Sequence, residues 1–580
     1  IKSSAASDVY KRQHGMGGTM GKNKIGIMAA VIVIVCAVVF GGIYLTRNLG
    51  KSDKVISQES ALSSLEKMVN KISPDTAAPV KSPVEFDAGE DEAAELPDID
   101  TCEIGMPAST SLYAEIYSSP EKAGTGTDAW LCEMAEDFNR QGFTVNDQEV
   151  SIQVRKVNSG QALDYIATGK AVPDGFSPSS MLWVDMLNAK GVETDVITER
   201  MVGNVAGILL SDATYKKITE KYGSVDLKAI TEATEAGEFT MGYTNPFASS
   251  AGLNFLVCTL ERYDKSNPLS ETAVDGFRKF QENVPFVALT TMQMREAAER
   301  GTLDGFILEY QSYQNDSALS RNYKFTPFGY RHDNPLVSVG ETSPEKKEIL
   351  QMFAEFCSSE EAVKRADEFG FNGMEDYVCE YDTVSGDVLV DAQKLYKVNK
   401  DNGKPVIGVF VTDTSGSMAG APLNALQESL INSMKYINAD NYIGLVSYSD
   451  DVTIEVPIGK FDLNQQSLFK GAVENLYASG GTATFDGICV AMDMINKALE
   501  ENPGAKPMIF VLSDGETNSG YSLNDIRNVL SGLKIPVYTI GYNADLAALQ
   551  SISAVNEAAS IDASTDDVVY QLKNLFNANM

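Results

Sequence analysis

The stretch PVIGVFVTDTSGSM, residues 405–418, decides how the C-terminal part of this chain folds. An apolar run of strand length ends in an aspartate and two serines set one residue apart. A parallel strand covered on both faces reads as a continuous Val/Ile/Phe run, not as an alternation. The polar tail therefore falls where such a strand would leave its sheet. Taken alone, DTSGS is a sufficient helix cap.

Further along the chain, YIGLVSYS, VTIEVP, MIFVLSD and IPVYTIGY have the same strand character, with amphipathic stretches between them. VTIEVP follows YIGLVSYSDD closely enough to predict a hairpin at a sheet edge. The other connections need helical crossovers, which gives a mostly parallel, doubly wound α/β sheet. Three polar groups then sit at switch positions of that sheet: Asp413, Ser415 and Ser417; Gly480-Gly481-Thr482-Ala483-Thr484; and Ser513-Asp514-Gly515-Glu516. Separately they read as a cap, a loop and a turn. In this order they resemble the von Willebrand factor A (VWA) domain and its metal-ion-dependent adhesion site, DxSxS…T…D, over residues 395–580.

The resemblance implies a Rossmann-like domain holding Mg2+ (or Mn2+ or Ca2+). Ser415, Ser417 and Thr482 would bind the ion directly, and Asp413 and Asp514 would hold its waters. Hard oxygen donors and retained waters suit magnesium. With neutral direct ligands the ion stays short of negative charge, so a protein partner supplying a Glu or Asp side chain is expected.

Residues 101–390 alternate strand-like and helix-like segments, as βα units do. Small polar residues gather where strands give way to helices: Ser118 and Ser119, Ser179 and Ser180, Asn245, Ser249 and Ser250, Glu309 and Tyr310. Strand ends that face helix N-termini are where hydroxyls and free amides converge on a ligand, although each serine alone also reads as a helix cap. The segments YSSPEKA, PDGFSPSSMLWVDML, GYTNPFASSAGLNFL and GTLDGFILEYQSY together resemble the two-lobed extracellular solute-binding proteins of bacterial transport systems. That implies a type II periplasmic-binding-protein-like domain with a small-molecule ligand in the interlobe cleft, which those nine residues would line. No Arg or Lys cluster accompanies these loops, so an anion would depend on hydroxyls and amides. GTGTDA at 124–129 lacks the context of a dinucleotide fingerprint.

The rest of the chain bounds the function. Residues 24–46 contain an unbroken apolar run long enough to span a bilayer and predict a transmembrane anchor. Residues 47–100 are polar and then acidic, and read as an acidic linker with a short helix near 60–72. Residues 1–19 resemble translated adapter sequence, with Met16 or Met20 as the expected start. With 47 basic and 80 acidic residues the net charge is −33, which argues against a nucleic-acid partner. Only His14 and His332 are present, so zinc-protease motifs are absent and any Ser-His-Asp triad would need His332. The cysteines form no CxxC motif; Cys102 and Cys132 could pair in an oxidising compartment.

The expectation is a bacterial, non-enzymatic, single-pass cell-surface binding protein with its folded domains outside the membrane. The competing readings are a transport-associated solute receptor docked through the VWA-like domain, and a metal-dependent hydrolase.

Overall fold

The computed structural model describes residues 56–84, 96–238, 241–282, 284, 286–288, 294, 305–400, 404–515, 517–542, 546–553, 560–562, 572, 573, 575 and 576. The expected anchor at 24–46 and leader at 1–19 lie outside them. Among the described residues no helix is long and apolar enough to cross a membrane.

The C-terminal domain is a seven-stranded sheet. In spatial order its strands are Asp75–Thr76, Val452–Lys460, Tyr442–Tyr448, Val406–Asp413, Lys506–Ser513, Val537–Gly541 and Ser560–Asp562. Val406–Asp413 is buried along its whole length and lies parallel to both neighbours. That burial is why its sequence is apolar without alternation. Phe410 stacks on Phe510 at 4.9 Å, and Phe510 on Tyr538 at 5.3 Å, an aromatic row across three adjacent strands. The hairpin read from VTIEVP is present, antiparallel and bulged, between Tyr442–Tyr448 and Val452–Lys460.

That hairpin is not the sheet edge, because part of the stretch read as a linker folds onto this domain. Helix Gln58–Ile72 packs against helices Thr484–Glu501 and Leu523–Leu533, burying Ala61 and Leu65. Asp75–Thr76 then pairs in parallel with Thr453 and Ile454. Beyond it the chain follows helix Leu463–Glu474: the Ser82 amide donates to the Ser467 carbonyl at 3.0 Å, and Ser467 Oγ to the Ser82 carbonyl at 2.8 Å. The physical reason is twofold. Ala61, Leu65, Val69 and Ile72 form a narrow apolar stripe at helical spacing, and Val452–Lys460 would otherwise expose unpaired edge amides. The domain is thus built from two separated segments, 58–83 and 404 onward, with the middle domain inserted between them.

The middle domain has two lobes. In the first, the strands run Ile104–Met106, Gln148–Lys156, Leu112–Ser118, Gly175–Ser177, Leu336–Val339 and Thr194–Thr198, with Thr144–Val145 paired off the main path. The second runs Phe286–Ala288, Met241–Thr244, Gly305–Glu309, Val205–Ser211 and Tyr323–Arg331. The chain crosses between lobes after Thr198 and after Arg331. Helix Gly386–Asn399 packs on Met181–Ala189 of the first lobe and on Ser250–Tyr263 and Glu271–Gln281 of the second. It therefore belongs to this domain, which moves the boundary expected at 390–395 to about residue 400. One apolar core runs through both lobes and this helix, from Phe176 and Trp183 to Tyr243, Phe255 and Tyr396.

Cys102 and Cys132 are not joined in a disulfide. The Cys132 thiol instead faces the Ala123 carbonyl at 3.6 Å.

Candidate functional site

Strands Val406–Asp413 and Lys506–Ser513 release two loops at their carboxyl ends, and a third loop leads from helix Leu463–Glu474 into helix Thr484–Glu501. Asp413 is the last residue of its strand and fully buried. Its Oδ1 accepts the Ser415 amide at 2.8 Å and its Oδ2 accepts Ser513 Oγ at 2.6 Å. Ser415 Oγ lies 3.0 Å from Ser417 Oγ, which donates to Asp514 Oδ1 at 3.0 Å. Four of the five predicted residues are therefore joined by one run of hydrogen bonds, through the Ser415 backbone amide and three side chains beyond it.

The fifth, Thr482, arrives on a loop fastened to the first. The Gly416 amide donates to the Gly480 carbonyl at 3.0 Å, and the Ser479 amide to the Thr414 carbonyl at 2.8 Å. Asn518, which sequence reasoning missed, holds Thr482 in place: its Oδ1 accepts the Thr482 amide at 2.9 Å and its amide group reaches Thr482 Oγ1 at 3.4 Å. The signal was available, since Asn518 follows the SDG turn closely, but no spacing rule marks it.

Burial pushes the Asp413 carboxyl above its ordinary range; hydrogen bonds from Ser415 and Ser513 oppose this, and the charge of Asp514 adds to it. Both carboxylates accept from uncharged groups, Asp413 from the Ser415 amide and the Ser513 hydroxyl and Asp514 from the Ser417 hydroxyl. Around them the buried hydroxyls of Tyr448, Thr484 and Ser519 make no protein hydrogen bond of good geometry, although Tyr448 lies beside Asp413, Ser513 and Thr484. Buried hydroxyls are rarely left without a good partner, and such groups suit a hydrated cation. Among the described residues no group of three or more His, Cys, Asp or Glu could hold a metal. The donor set here is hydroxyl oxygen backed by two carboxylates, which is chemistry for Mg2+ or a similar hard ion. Glu516 lies outside the described residues.

The strand ends of the two lobes form a second polar cluster. Lys122 is fully buried and donates to Ser119 Oγ at 3.1 Å and to the Ser177 carbonyl at 2.7 Å. Burial brings its ammonium down to about 8, against the pull of Glu121 and Glu309. Ser119 and Ser179 touch at 3.1 Å, and Ser179 Oγ donates to Glu121. Burial, then the charge of Glu309, raises the Glu121 carboxyl. Glu309 accepts from Asn204 Nδ2 at 3.0 Å and from His332 Nδ1 at 2.7 Å. His332 Nε2 faces the Asn254 side-chain amide at 3.0 Å, so it accepts there and the proton sits on Nδ1. The hydroxyls of Ser118 and Ser177 are buried without partners.

Of the nine residues predicted for the cleft, Ser118, Ser119, Ser179 and Glu309 lie in or beside this cluster. The others have local duties, because small polar residues beside helix starts serve the backbone first. Ser180 caps helix Met181–Ala189, and Asn245 Oδ1 accepts the Phe247 amide at 2.9 Å. Ser249 Oγ accepts from Thr244 at 2.9 Å. Ser250 Oγ accepts Trp183 Nε1 at 2.8 Å, which ties lobe to lobe. The Tyr310 ring packs on Phe325 and its hydroxyl accepts from Gln314, away from the cluster. Glu121, Lys122, Asn204 and Gln311 were missed. The expectation of hydroxyls unaccompanied by a cation fails at Lys122, which a search for clustered basic residues overlooks. Gln311 Nε2 reaches the Thr127 carbonyl at 3.0 Å and Asp128 Oδ1 at 3.2 Å, a further lobe-to-lobe tie. Gly160 meets the second lobe so closely that a Cβ there would stand 1.9 Å from the Phe247 carbonyl oxygen.

Comparison with known proteins agrees with this two-part architecture. Residues 123–372 match the family model for bacterial extracellular solute-binding protein, and residues 409–578 that for the von Willebrand factor type A domain. The chain is similar to the inter-alpha-trypsin inhibitor heavy chain H3 of Mus musculus, 30% identical over 159 residues, covering 25% of this chain and 17% of that protein. It is also similar to an uncharacterized protein of Synechocystis sp., 25% identical over 182 residues, covering 30% of this chain and 42% of that one. The chain thus spans about a sixth of the first relative's length and about two fifths of the second's. Among solved structures, a periplasmic thiamin binding protein aligns with a TM-score of 0.38 at 14% identity, covering 50% of this chain and 96% of that one. A von Willebrand factor type A protein from Catenulispora acidiphila aligns with a TM-score of 0.28 at 19% identity, covering 30% and 42%. The protein is a mixed α/β chain with a solute-binding-protein-like domain and a C-terminal VWA domain.

Proposed function

We propose that this chain is a non-enzymatic, membrane-anchored surface protein whose VWA domain binds a partner's Glu or Asp side chain through a divalent cation, Mg2+ in the first instance. The observation that carries the reading is the hydrogen-bonded run Asp413–Ser415–Ser417–Asp514, with the Thr482 loop fastened against it and buried hydroxyls that lack a good protein hydrogen bond around it. Ser415, Ser417 and Thr482 would hold the ion, with Asp413 and Asp514 fixing its waters. The bound ion supplies an open coordination position for the incoming carboxylate. Asp413 is already committed to the Ser415 amide and the Ser513 hydroxyl, which suits a residue that orients others rather than one that abstracts a proton. The inhibitor heavy chains among the relatives agree with a binding role.

The middle domain serves the same protein as ligand-binding or docking module. A second reading, a solute receptor docked by the VWA domain, draws on the buried Glu121–Lys122–Ser119–Ser179 cluster between the lobes. The metal-dependent hydrolase is disfavoured by the donor set, since hydroxyl ligands do not make a water-activating site.

The test is thermal unfolding of the full chain with Mg2+, with Mn2+ and with chelator. Ligand at a hundredfold excess over Kd adds about 2.7 kcal/mol, or about 5–10 °C for a domain of this size. Asp413→Ala should remove that increment. Identical melting with ion and with chelator would overturn the cation reading.

A further inference from the structure

The C-terminal end of helix Gln58–Ile72 lies against the loop that follows Asp514. Three contacts hold that loop: Ser417 Oγ donates to Asp514 at 3.0 Å, Asn518 grips Thr482, and the Tyr521 amide donates to Asp486 Oδ1 at 2.7 Å. The last contact is tight. Gly520 adopts φ 72°, and a Cβ there would stand 2.5 Å from Asp486 Oδ1. Asp486 itself begins helix Thr484–Glu501, just past Thr482. Next in the chain, Ser522 and Asp525 form a capping box that starts helix Leu523–Leu533.

Lys71 closes this arrangement from outside. Its Nζ stands 5.1 Å from the centre of the Tyr521 ring, and its positive charge acts on both Asp486 and Asp525. Burial raises the Asp486 carboxyl above its ordinary range; the hydrogen bond from the Tyr521 amide and then the Lys71 charge oppose that rise. The segments on either side of that amide bond carry Thr482 and Asp514, so whatever fixes it limits the freedom of two residues of the cation site at once.

We propose that the N-terminal segment 58–83 positions the cation site, with Lys71 as a positioning residue that acts through the Asp486–Tyr521 contact. The inference rests on the metal-site reading above and adds that ion affinity depends on a segment far away in sequence. Lys71 reaches no ion itself. It lowers the cost of holding Thr482 and Asp514 in place when the ion arrives.

The test is calorimetric Mn2+ titration of the full chain carrying Lys71→Ala or Lys71→Arg, together with hydrogen exchange at the Tyr521 amide in cation-free protein. Lys71 is exposed, so neither variant endangers folding. Lys71→Ala should raise the Mn2+ Kd about two- to fivefold, the range that an ammonium over an exposed ring supports, and should speed exchange at Tyr521. Lys71→Arg keeps the charge and the ring contact and should restore both values. An unchanged Kd in Lys71→Ala, or an equal loss in Lys71→Arg, overturns the proposal while leaving the cation site standing. Wild-type protein that binds no Mn2+ overturns the site and the proposal together; the Tyr521 exchange rates then still report whether Lys71 holds the loop.

Discussion

Leu65→Ala is the most direct test that residues 58–83 belong to the VWA domain. Leu65 is 1% exposed and lies on the face of helix Gln58–Ile72 that packs on Thr484–Glu501 and Leu523–Leu533. Truncating a buried leucine costs 2–5 kcal/mol, depending on how far the site collapses. This helix rides on the outside of the domain, where neighbours close readily, so about 2–3 kcal/mol is expected. The free energy that holds the whole segment to the sheet sets a ceiling, because beyond it the segment peels away and the rest remains folded. For a domain of this size the loss corresponds to about 4–12 °C in melting temperature. The chain's two tryptophans, Trp130 and Trp183, both lie in the middle domain. Tryptophan fluorescence therefore follows that domain, and far-ultraviolet circular dichroism follows both. Leu65→Ala should lower one dichroism transition and leave the fluorescence transition in place. A shift below about 1 °C in both signals would refute the attachment of the segment, and a shift confined to fluorescence would refute its assignment.

Two further outcomes concern the middle domain. Gly160→Ala puts a methyl group where the Phe247 carbonyl stands; overpacking of this kind costs about 1–3 kcal/mol, and small-angle scattering should show parted lobes, whereas an unchanged radius would refute the close approach. Burial raises the Glu261 carboxyl to about 7, partly offset by the Tyr330 hydroxyl that donates to it. The folded state then binds more protons than the unfolded state between the ordinary carboxylate range and pH 7. Stability of the middle domain should fall as pH rises through that window, and Glu261→Gln should flatten the decline; parallel pH profiles would refute it.

The C-terminal sheet was legible because each strand announces itself. VIGVFVTD and MIFVLSD are apolar throughout and then abruptly polar, and that break is where the sheet's topology places its loops. The residues proposed for a cation site could be picked out on related grounds: four lie at or just past a strand end, and Thr482 just precedes a helix. Asn518 was not, because a side chain that serves another residue's backbone has no spacing of its own. The cleft was read less well. Serines beside helix starts carry two meanings in one pattern, and only packing tells a cap such as Ser180 from a cluster member such as Ser179. Lys122 escaped because a single lysine in a helix looks like surface, yet here it is wholly enclosed. Least legible was segment 58–83. Its stripe of Ala61, Leu65, Val69 and Ile72 is short, it sits in polar surroundings, and its partner lies hundreds of residues away.

The insertion changes how the two domains depend on each other. The middle domain's incoming connection follows the contacts of Ser82 and Pro83 with Ser467 and Lys470, and its outgoing connection ends at Lys400, whose Nζ donates to the Phe576 carbonyl at 2.6 Å. Both tethers therefore issue from the VWA domain, and neither is a free end. One of the two attachments is continuous with the segment whose helix Gln58–Ile72 ends beside Tyr521. A fragment beginning at residue 395 would lack Asp75–Thr76, leave Val452–Lys460 as a bare edge and expose the groove that holds Leu65. Such a fragment should aggregate or melt early even with Mg2+ present. Adding residues 56–84 back as a separate peptide should raise its melting temperature in proportion to peptide concentration. If the peptide had no effect at concentrations where it is soluble, the two segments would not form one domain.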